Sequence, residues 1–267
     1  MTNNITIRLE LPSDFRAVEE LTREAFWPHS EHSCNEHLLV HKLRSLPAFI
    51  PELDYVAEIN GKLAGNIVYS KAKIVTPDAR EVEVIAFGPL SVAPEFQNQG
   101  VGKALLAHTI AEAKSLGYRG ILLFGHPDYY PRAGFRRGWE FGILTADDRD
   151  KFDPLMAMPL FDGAFDGLSG GRFVEDSVFE TLTDEELAEF EKSLAYKTPV
   201  EPVSVDVLLA RLLPSAITAL EPFKLKTLND VRRISERALS QLPGVDRGAV
   251  ETVRSVMREH GRLWGAA

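Results

Sequence analysis

The stretch from Val82 to Gly117 constrains the fold more than any other part of the chain. Val82 to Val92 reads as a strand, closed by Ala93-Pro94, and the turn Gln97-Asn98-Gln99-Gly100-Val101-Gly102 follows. A helix then runs to Leu116, with Leu105, Leu106, Thr109, Ile110, Ala113 and Leu116 expected on one face. Lys103, Ala107, Ala111, Lys114 and Ser115 take the other face, and Gly117 supplies the stop. Glycines at 100 and 102 let backbone N–H groups turn toward a bound anion without a Cβ in the way. The positive end of the helix points to the same place. Strand, glycine turn and helix thus form a design for a diphosphate. The spacing is neither the P-loop GxxxxGK[ST] nor the dinucleotide GxGxxG. Taken alone, QxxGxG also fits an ordinary glycine-rich turn.

The flanking segments show where this unit sits. Ile5 to Leu11 alternates as a first strand, and Asp14 is placed to cap a helix reaching about Phe26. A second helix is expected over 35–44. Leu53 to Ile59, Asn60-Gly61 and Ala64 to Ile74 read as a hairpin, since both turn residues tolerate positive φ. Ile121 to Phe124 is a short strand. Asp128 to Ala133 can form one or two helical turns, Gly134-Phe135 opens a strand, and Leu155 to Leu160 is the last one. Residues 161–172 are rich in Gly and Asp and read as loop. Thr183 starts a helix to about Leu194, and Lys197 to Pro202 reads as a linker stiffened by two prolines. About four short helices follow. The domains expected are therefore 1–160, an extension and linker over 161–204, and a helical domain over 205–267.

Composition bounds the function classes. Of 267 residues, 45% are hydrophobic and 26% charged, as in globular proteins, and no apolar run approaches the ~18 residues of a membrane span. The N-terminus has no basic flank or apolar core of a secretory leader. A single cysteine, Cys34, excludes an intrachain disulfide and suits a cytoplasmic setting. Residues 206–267 carry 10 Lys+Arg against 7 Asp+Glu, which leaves the first 205 residues at −12. An acidic first domain disfavours nucleic acid and favours a cationic acceptor.

Two motifs about 30 residues apart carry a resemblance. Gln97, Gly100 and Gly102 resemble the [Q/R]xxGx[G/A] motif of the GNAT superfamily, the acetyl-CoA-dependent N-acetyltransferases. Asp128-Tyr129-Tyr130-Pro131-Arg132-Ala133-Gly134-Phe135 resembles the family's FYxxxGF segment, and Gly88 to Gln97 its fourth strand. The likeness covers about residues 3–160. It implies an α/β (α+β) GNAT fold, a mixed, mostly antiparallel twisted sheet flanked by helices. It also implies acetyl-CoA as co-substrate at Leu90, Val92, Gln97, Asn98, Gln99, Gly100, Val101, Gly102, Lys103 and Tyr130, with no metal. The acceptor would be an amine of an unidentified small molecule or protein, attacking directly in a ternary complex.

That chemistry needs a neutral amine, although a free alkylammonium has a pKa of ~10.4. It also needs a donor for the oxyanion and an acid for the leaving thiolate. Tyr130 aligns with the tyrosine that serves as this acid in many members of the family. The base is poorly marked: Glu83 on the fourth strand and His126 at the end of the fifth are the candidates. His29, His32, His37 and His41 cluster beside Cys34, with His37 and His41 spaced i, i+4 as metal ligands can be. Their spacing matches no structural zinc pattern, and solvated residues lining the acceptor entrance are the preferred reading.

Leu242-Pro243-Gly244-Val245 lies between two expected helices, 229–239 and 246–260, as in a helix-hairpin-helix turn. The run from Pro214 to Gly244 resembles the C-terminal domain of the bacterial RNA polymerase α subunit. The DNA-contacting residues of that family are replaced here by Pro214, Ile217, Asp246 and Gly248, and an aspartate repels phosphate. Arg232, Arg233, Arg254 and Arg258 could still form a basic face. Protein docking or self-association is thus expected from residues 205–267 rather than DNA binding. Two alternatives stay open for the whole chain: a transcription- or DNA-associated binding protein, and a CoA-binding sensor without turnover.

Overall fold

The computed structural model describes residues 4–27, 34–147, 151–197, 202–231, 234 and 236–260. One sheet organises the first part of the chain. Its strands are β1 (Ile5–Leu9), β2 (Tyr55–Ile59), β3 (Lys62–Val75), β4 (Glu81–Val92), β5 (Gly120–Phe124), β6 (Arg136–Arg137), β7 (Leu155–Pro159) and β8 (Arg172–Val174). They lie in the order β1-β2-β3-β4-β5-β7-β6, and β8 pairs the far end of β3. Asn60 (φ 53) and Gly61 (φ 74) make the β2–β3 turn that the Asn-Gly pair predicts.

Every strand pair is antiparallel except β4 with β5, and that contact is brief: Ile85 faces Ile121 and Ala86 faces Leu122. Beyond it the two strands part. Against β3, the register of β4 jumps from Tyr69↔Phe87 to Ile67↔Leu90. Gly88 and Pro89 therefore oppose Val68 alone, a bulge that bends β4 away from β5. Pro89 has no N–H to give to a ladder, so the strand tolerates it only at such a place.

The two sheet faces bury different elements. Helix α3 (Val101–Ser115) covers one, packing Val101, Leu105, Leu106, Ile110 and Ala113 against Ile67, Tyr69, Ile85, Phe87 and Ile121. Each such fully buried Leu contributes about 1.5–3 kcal/mol. Leu116 does not join that face: it is 49% exposed, just past the helix end. The other face carries α1 (Phe15–Phe26) and α2 (Glu36–Leu43) over Val56 and Val68. It also carries Phe165, Leu168 and Phe173 over Ala72, Val84, Ala86 and Leu122.

The stretch after Leu160 is more ordered than its Gly- and Asp-rich composition suggests. Strand β8 and a short helix α4 (Val178–Thr181) lie in it, and Val178 packs with α1 and α2. Thr183 caps α5 (Asp184–Glu191) through a reciprocal box with Glu186.

The chain divides into two units, Met1–Ala25 with Asn35–Tyr196, and Phe26–Cys34 with Lys197–Ala267. The second unit has its own core, which includes Leu208, Leu220, Leu228, Val231, Val253 and Val256. It comprises α6 (Asp206–Leu209), α7 (Pro214–Leu220), α8 (Leu228–Val231), α9 (Glu236–Ser240) and α10 (Arg247–Glu259). Two shorter helices, α8 and α9, thus replace the single helix expected over 229–239. Arg232 and Arg233 lie outside the described residues. At the turn before α10, Gly244 (φ 89) approaches the Ser215 carbonyl so closely that a Cβ would stand 2.8 Å from it. Asp246 caps α10, its carboxylate accepting the Ala249 N–H at 2.7 Å.

Candidate active site

The glycine turn closes onto the end of β4. Gln97 donates its side-chain amide to the Val92 carbonyl (3.2 Å), and Gln99 does the same to Glu95 (2.7 Å). Asn98 (φ 60) and Gly100 (φ 86) both take the left-handed conformation. Gly100 is the N-cap of α3 and offers no side chain to the helix amides. The first N–H groups of a helix have no partner within it, so those of Val101, Gly102 and Lys103 point out of its positive end. A Cβ at Gly100 would meet nothing within 4 Å. Glycine is therefore needed there for its φ, not for space.

Gly102 stands in a tighter place. A Cβ on it would stand 3.2 Å from the Tyr129 hydroxyl, 3.6 Å from Val92 and 3.8 Å from Leu90. The turn, the end of β4 and Tyr129 thus meet at one point. Val101 is buried and anchors the helix start on β3, where a Cβ on Gly65 would come within 2.9 Å of it. Asn98, Gln99 and Lys103 are exposed at the rim. These residues fit an anionic diphosphate arm: uncapped amides, a helix N-terminus and no side chain in the way.

Tyr130 begins the short 3-10 turn Tyr130–Ala133 that follows β5. Its ring packs against Phe87 (5.7 Å between centroids), Phe135 (5.7 Å) and Tyr129 (5.0 Å). Gly125 makes the room, since a Cβ there would stand 2.2 Å from the ring. Burial raises the phenol well above its ordinary value of 10.0, and the neighbouring Tyr129 adds to the shift. Tyr130 therefore keeps its proton at neutral pH. Phe87 belongs to the α3 face, so Tyr130 lies on that side of the β4–β5 opening.

Glu83 does not reach this place. It is exposed, faces Lys73 across the β3–β4 ladder, and its charge acts on Tyr118. Tyr118 follows the C-terminal end of α3, which at 1.5 Å per residue lies on the order of 20 Å from Gly100. Alternation puts Glu83 on the α3 face, but at the wrong end of the strand. His126 stands two residues beyond β5, half-buried at the mouth of the opening, where its Nδ1 faces the Asp128 N–H at 3.4 Å.

On the opposite side of the parted strands, side chains distant in sequence pack together. Ser91 donates to Thr22 of α1 at 3.1 Å. Phe179 of α4 lies 3.7 Å from where a Cβ on Gly88 would be. The Phe173 ring is 5.7 Å from that of Phe124, the last residue of β5. Glu175 lies between Phe173 and Phe179. No periodicity or motif marks these residues in the sequence.

His37 and His41 both meet acidic side chains, and only His37 departs from the solvated reading. His37 is fully buried rather than solvated, with Nε2 2.7 Å from Glu191 of α5; burial lowers its pKa, against the pull of Glu191. Arg23 holds the other Glu191 oxygen at 2.7 Å and the Ala195 carbonyl at 2.9 Å. His41 pairs with Glu19 at 2.8 Å. His29 and His32 lie outside the described residues.

Residues 52–137 match the family model "Acetyltransferase (GNAT) domain". The uncharacterised N-acetyltransferase YjhQ of Escherichia coli K12 is 30% identical over 134 residues, which are 50% of this chain and 70% of YjhQ. The chain belongs to the GNAT acetyltransferase family. A second GNAT relative, the uncharacterised N-acetyltransferase YhbS of the same strain, is 26% identical over 129 residues, 48% of this chain and 72% of YhbS. The crystal structure of Escherichia coli YhbS in complex with CoA shares the GNAT fold: its TM-score is 0.58 at 22% identity, over 68% of this chain and 96% of that one. A GNAT acetyltransferase of Brucella melitensis, in complex with acetyl-CoA, gives a TM-score of 0.53 at 26% identity, over 67% and 99%.

Proposed function

We propose that this GNAT chain takes acetyl-CoA as donor and passes the acetyl group directly to an amine of a small molecule or protein. The observation that carries the reading is the left-handed Gly100, which opens α3 with uncapped amides beside the parted strands β4 and β5. The relatives solved with CoA and acetyl-CoA support the same donor. The diphosphate would rest on the amides of residues 100–103. The pantetheine arm would run along Leu90 and Val92, with the thioester entering the opening. An N–H of β4 past the bulge would polarise the carbonyl. Tyr130, kept protonated by burial, would give its proton to the leaving thiolate. The net charge of −12 over the first 205 residues favours a cationic acceptor.

For residues 205–267 the reading is protein docking or self-association. Asp246 puts a carboxylate at the start of α10, where a phosphate would need a bare amide. Sedimentation of the full chain and a gel shift at low salt test this; DNA retention would overturn it. The DNA-associated and non-catalytic sensor readings of the whole chain have no support from the site.

Calorimetry with CoA, followed by thiol release from acetyl-CoA over an amine panel, tests the main reading. Uptake of CoA and amine-dependent release are expected. Tyr130→Phe should lower kcat about 100-fold, within the range of general acid catalysis, with CoA affinity unchanged. An unaltered rate would remove Tyr130 from the mechanism, and no CoA uptake would remove the donor.

A further inference from the structure

Glu83 lies at the far end of β4, but the segment beyond the sequence motifs brings another carboxylate to the parted strands. Resting on the acetyl-CoA reading above, we propose that Glu175 is the general base of the transfer, receiving the proton of the incoming ammonium across the β4–β5 opening from Tyr130.

The chain path sets its place. Strand β8 runs antiparallel to β3 with Val174 opposite Lys73, so Glu175 is the next residue toward the opening. Strand β8 ends at Val174, and Glu175 opens the short link to α4. Phe173 belongs to the core on the face away from α3. Its ring meets Phe124 at the end of β5, and four residues after Glu175 the ring of Phe179 meets Gly88 at the β4 bulge. The carboxylate is thus bracketed by contacts to the two strands that part.

Its surroundings suit the role. Among the described residues no hydrogen bond or ion pair reaches the Glu175 carboxyl, although the residue is mostly buried. The groups around it are otherwise engaged or of like charge. On α4, Glu180 is acidic like Glu175, and Asp176 just before the helix accepts the Val178 N–H at 2.9 Å. On β3, Lys73 is paired with Glu81 at 2.5 Å. His126 stands past β5 at the mouth. A buried carboxylate with no cation costs free energy unless a ligand or a proton answers it. Burial, helped by Glu180, lifts its pKa to about 7, so it can take a proton near neutral pH and return it to solvent. The phenyl rings of Phe124 and Phe179 offer apolar walls that also attract a cation. The acceptor class this fits is a primary ammonium on an apolar arm.

The step balances. The ammonium gives one proton to Glu175, and the freed lone pair attacks the thioester carbonyl carbon. Collapse breaks the C–S bond, and the sulfur leaves with the electron pair and takes the Tyr130 proton. The nitrogen's second proton restores the phenol through solvent, and Glu175 releases its own. Ammonium and thioester become amide, thiol and one proton.

The test compares the full-length wild type with Glu175→Gln and Glu180→Gln. Thiol release from acetyl-CoA is followed from pH 5.5 to 9 with phenethylamine, spermidine and lysine methyl ester. For the wild type, kcat/KM is expected to rise with a midpoint near 7. Glu175→Gln should lose about 100-fold or more and lack that limb, with CoA affinity unchanged. Glu180→Gln should keep the rate and move the midpoint down, because a like charge is gone. If no amine of the panel is turned over, 13C-carboxyl NMR of the CoA-loaded protein decides. A Glu175 signal titrating near 7 supports the proposal, and one titrating at the ordinary glutamate value overturns it. CoA uptake with an unchanged Glu175→Gln profile defeats this proposal alone; absence of CoA uptake by the wild type defeats the donor reading with it.

Discussion

The opening between β4 and β5 has two unlike sides. On the α3 side, every group comes from one run of sequence, residues 87–135: the strand end, the glycine turn, the helix start and Tyr129-Tyr130. The binding groups there are mostly backbone amides, set by φ angles at Gly100 and Asn98. On the other side Thr22, Ser91, Phe124 and residues 173–179 are packed together by side-chain contacts between distant segments. A backbone site needs few particular side chains and leaves a motif. A side-chain site assembled by tertiary packing leaves none, and its own stability becomes part of its function. The second side should therefore fail through loss of structure and the first through loss of affinity.

The largest expected effect strikes the second side. Arg44, at the C-terminal end of α2, gives two nitrogens to Glu10 (3.1 and 2.6 Å) and a third to Glu19 (3.1 Å). The Arg44–Glu10 pair is almost wholly buried, with side chains 5% and 1% exposed. Arg44→Met takes the cation from the buried Glu10 carboxyl, while Glu19 keeps Arg16 and His41, and costs about 3–5 kcal/mol. Burial beside Asp54 already raises Glu10 from 4.5 to about 9, against the pull of Arg44. A carboxyl raised in the folded state holds its stabilising proton at low pH and loses it as pH rises through the folded value. The variant's deficit should thus stay nearly level from pH 5 to 8 and deepen as pH approaches 9, where the wild-type Glu10 ionises beside Arg44, as urea denaturation would measure. A deficit that already deepens between pH 4 and 6 would mean that Glu10 is ionised in the native protein.

This asymmetry decides how much could be read without a structure. The Asn60-Gly61 turn, the run of strands, the glycine turn and the capped α5 are local features, set by φ preferences and periodicity, and they were legible. Leu116 was misplaced because the helical stripe does not report where the helix stops against its neighbours. Strand β8 was missed because three residues carry no period, and its reason for being a strand is β3, a hundred residues earlier. Glu83 looked placed because a strand position says nothing about which end of the sheet is open. His37 looked solvated because its partner, Glu191, is 154 positions away. Asp246 looked like a lost phosphate contact, and it serves as the N-cap of α10.

A middle-sized effect is expected at the first side. Gly100→Ala meets no steric obstacle, so only the left-handed φ of 86 opposes it. That costs about 1–2 kcal/mol for an alanine. If the turn relaxes instead of bearing the strain, the amides of α3 lose their aim. CoA should then bind about ten-fold more weakly, with the melting temperature little changed and kcat restored at saturating donor. A large loss of stability with normal CoA affinity would reverse the contrast between the two sides.

The smallest effect tests whether the second side is held by α5. Thr183 accepts the Glu186 N–H at 3.2 Å, and Glu186 accepts the Thr183 N–H at 3.2 Å, so the two residues share the cap. Thr183→Ala removes half of that box, worth about 1 kcal/mol. The far end of α5 carries Glu191, whose oxygens hold Arg23 of α1 and His37 of α2. Hydrogen exchange should quicken along 184–191 and spread to α1 and α2, while the amides of α3 and the affinity for CoA stay as they were. Quickening confined to α5 would mean that Arg23 and His37 keep their places without it, and that the wall opposite the glycine turn depends on α1 and α2 alone.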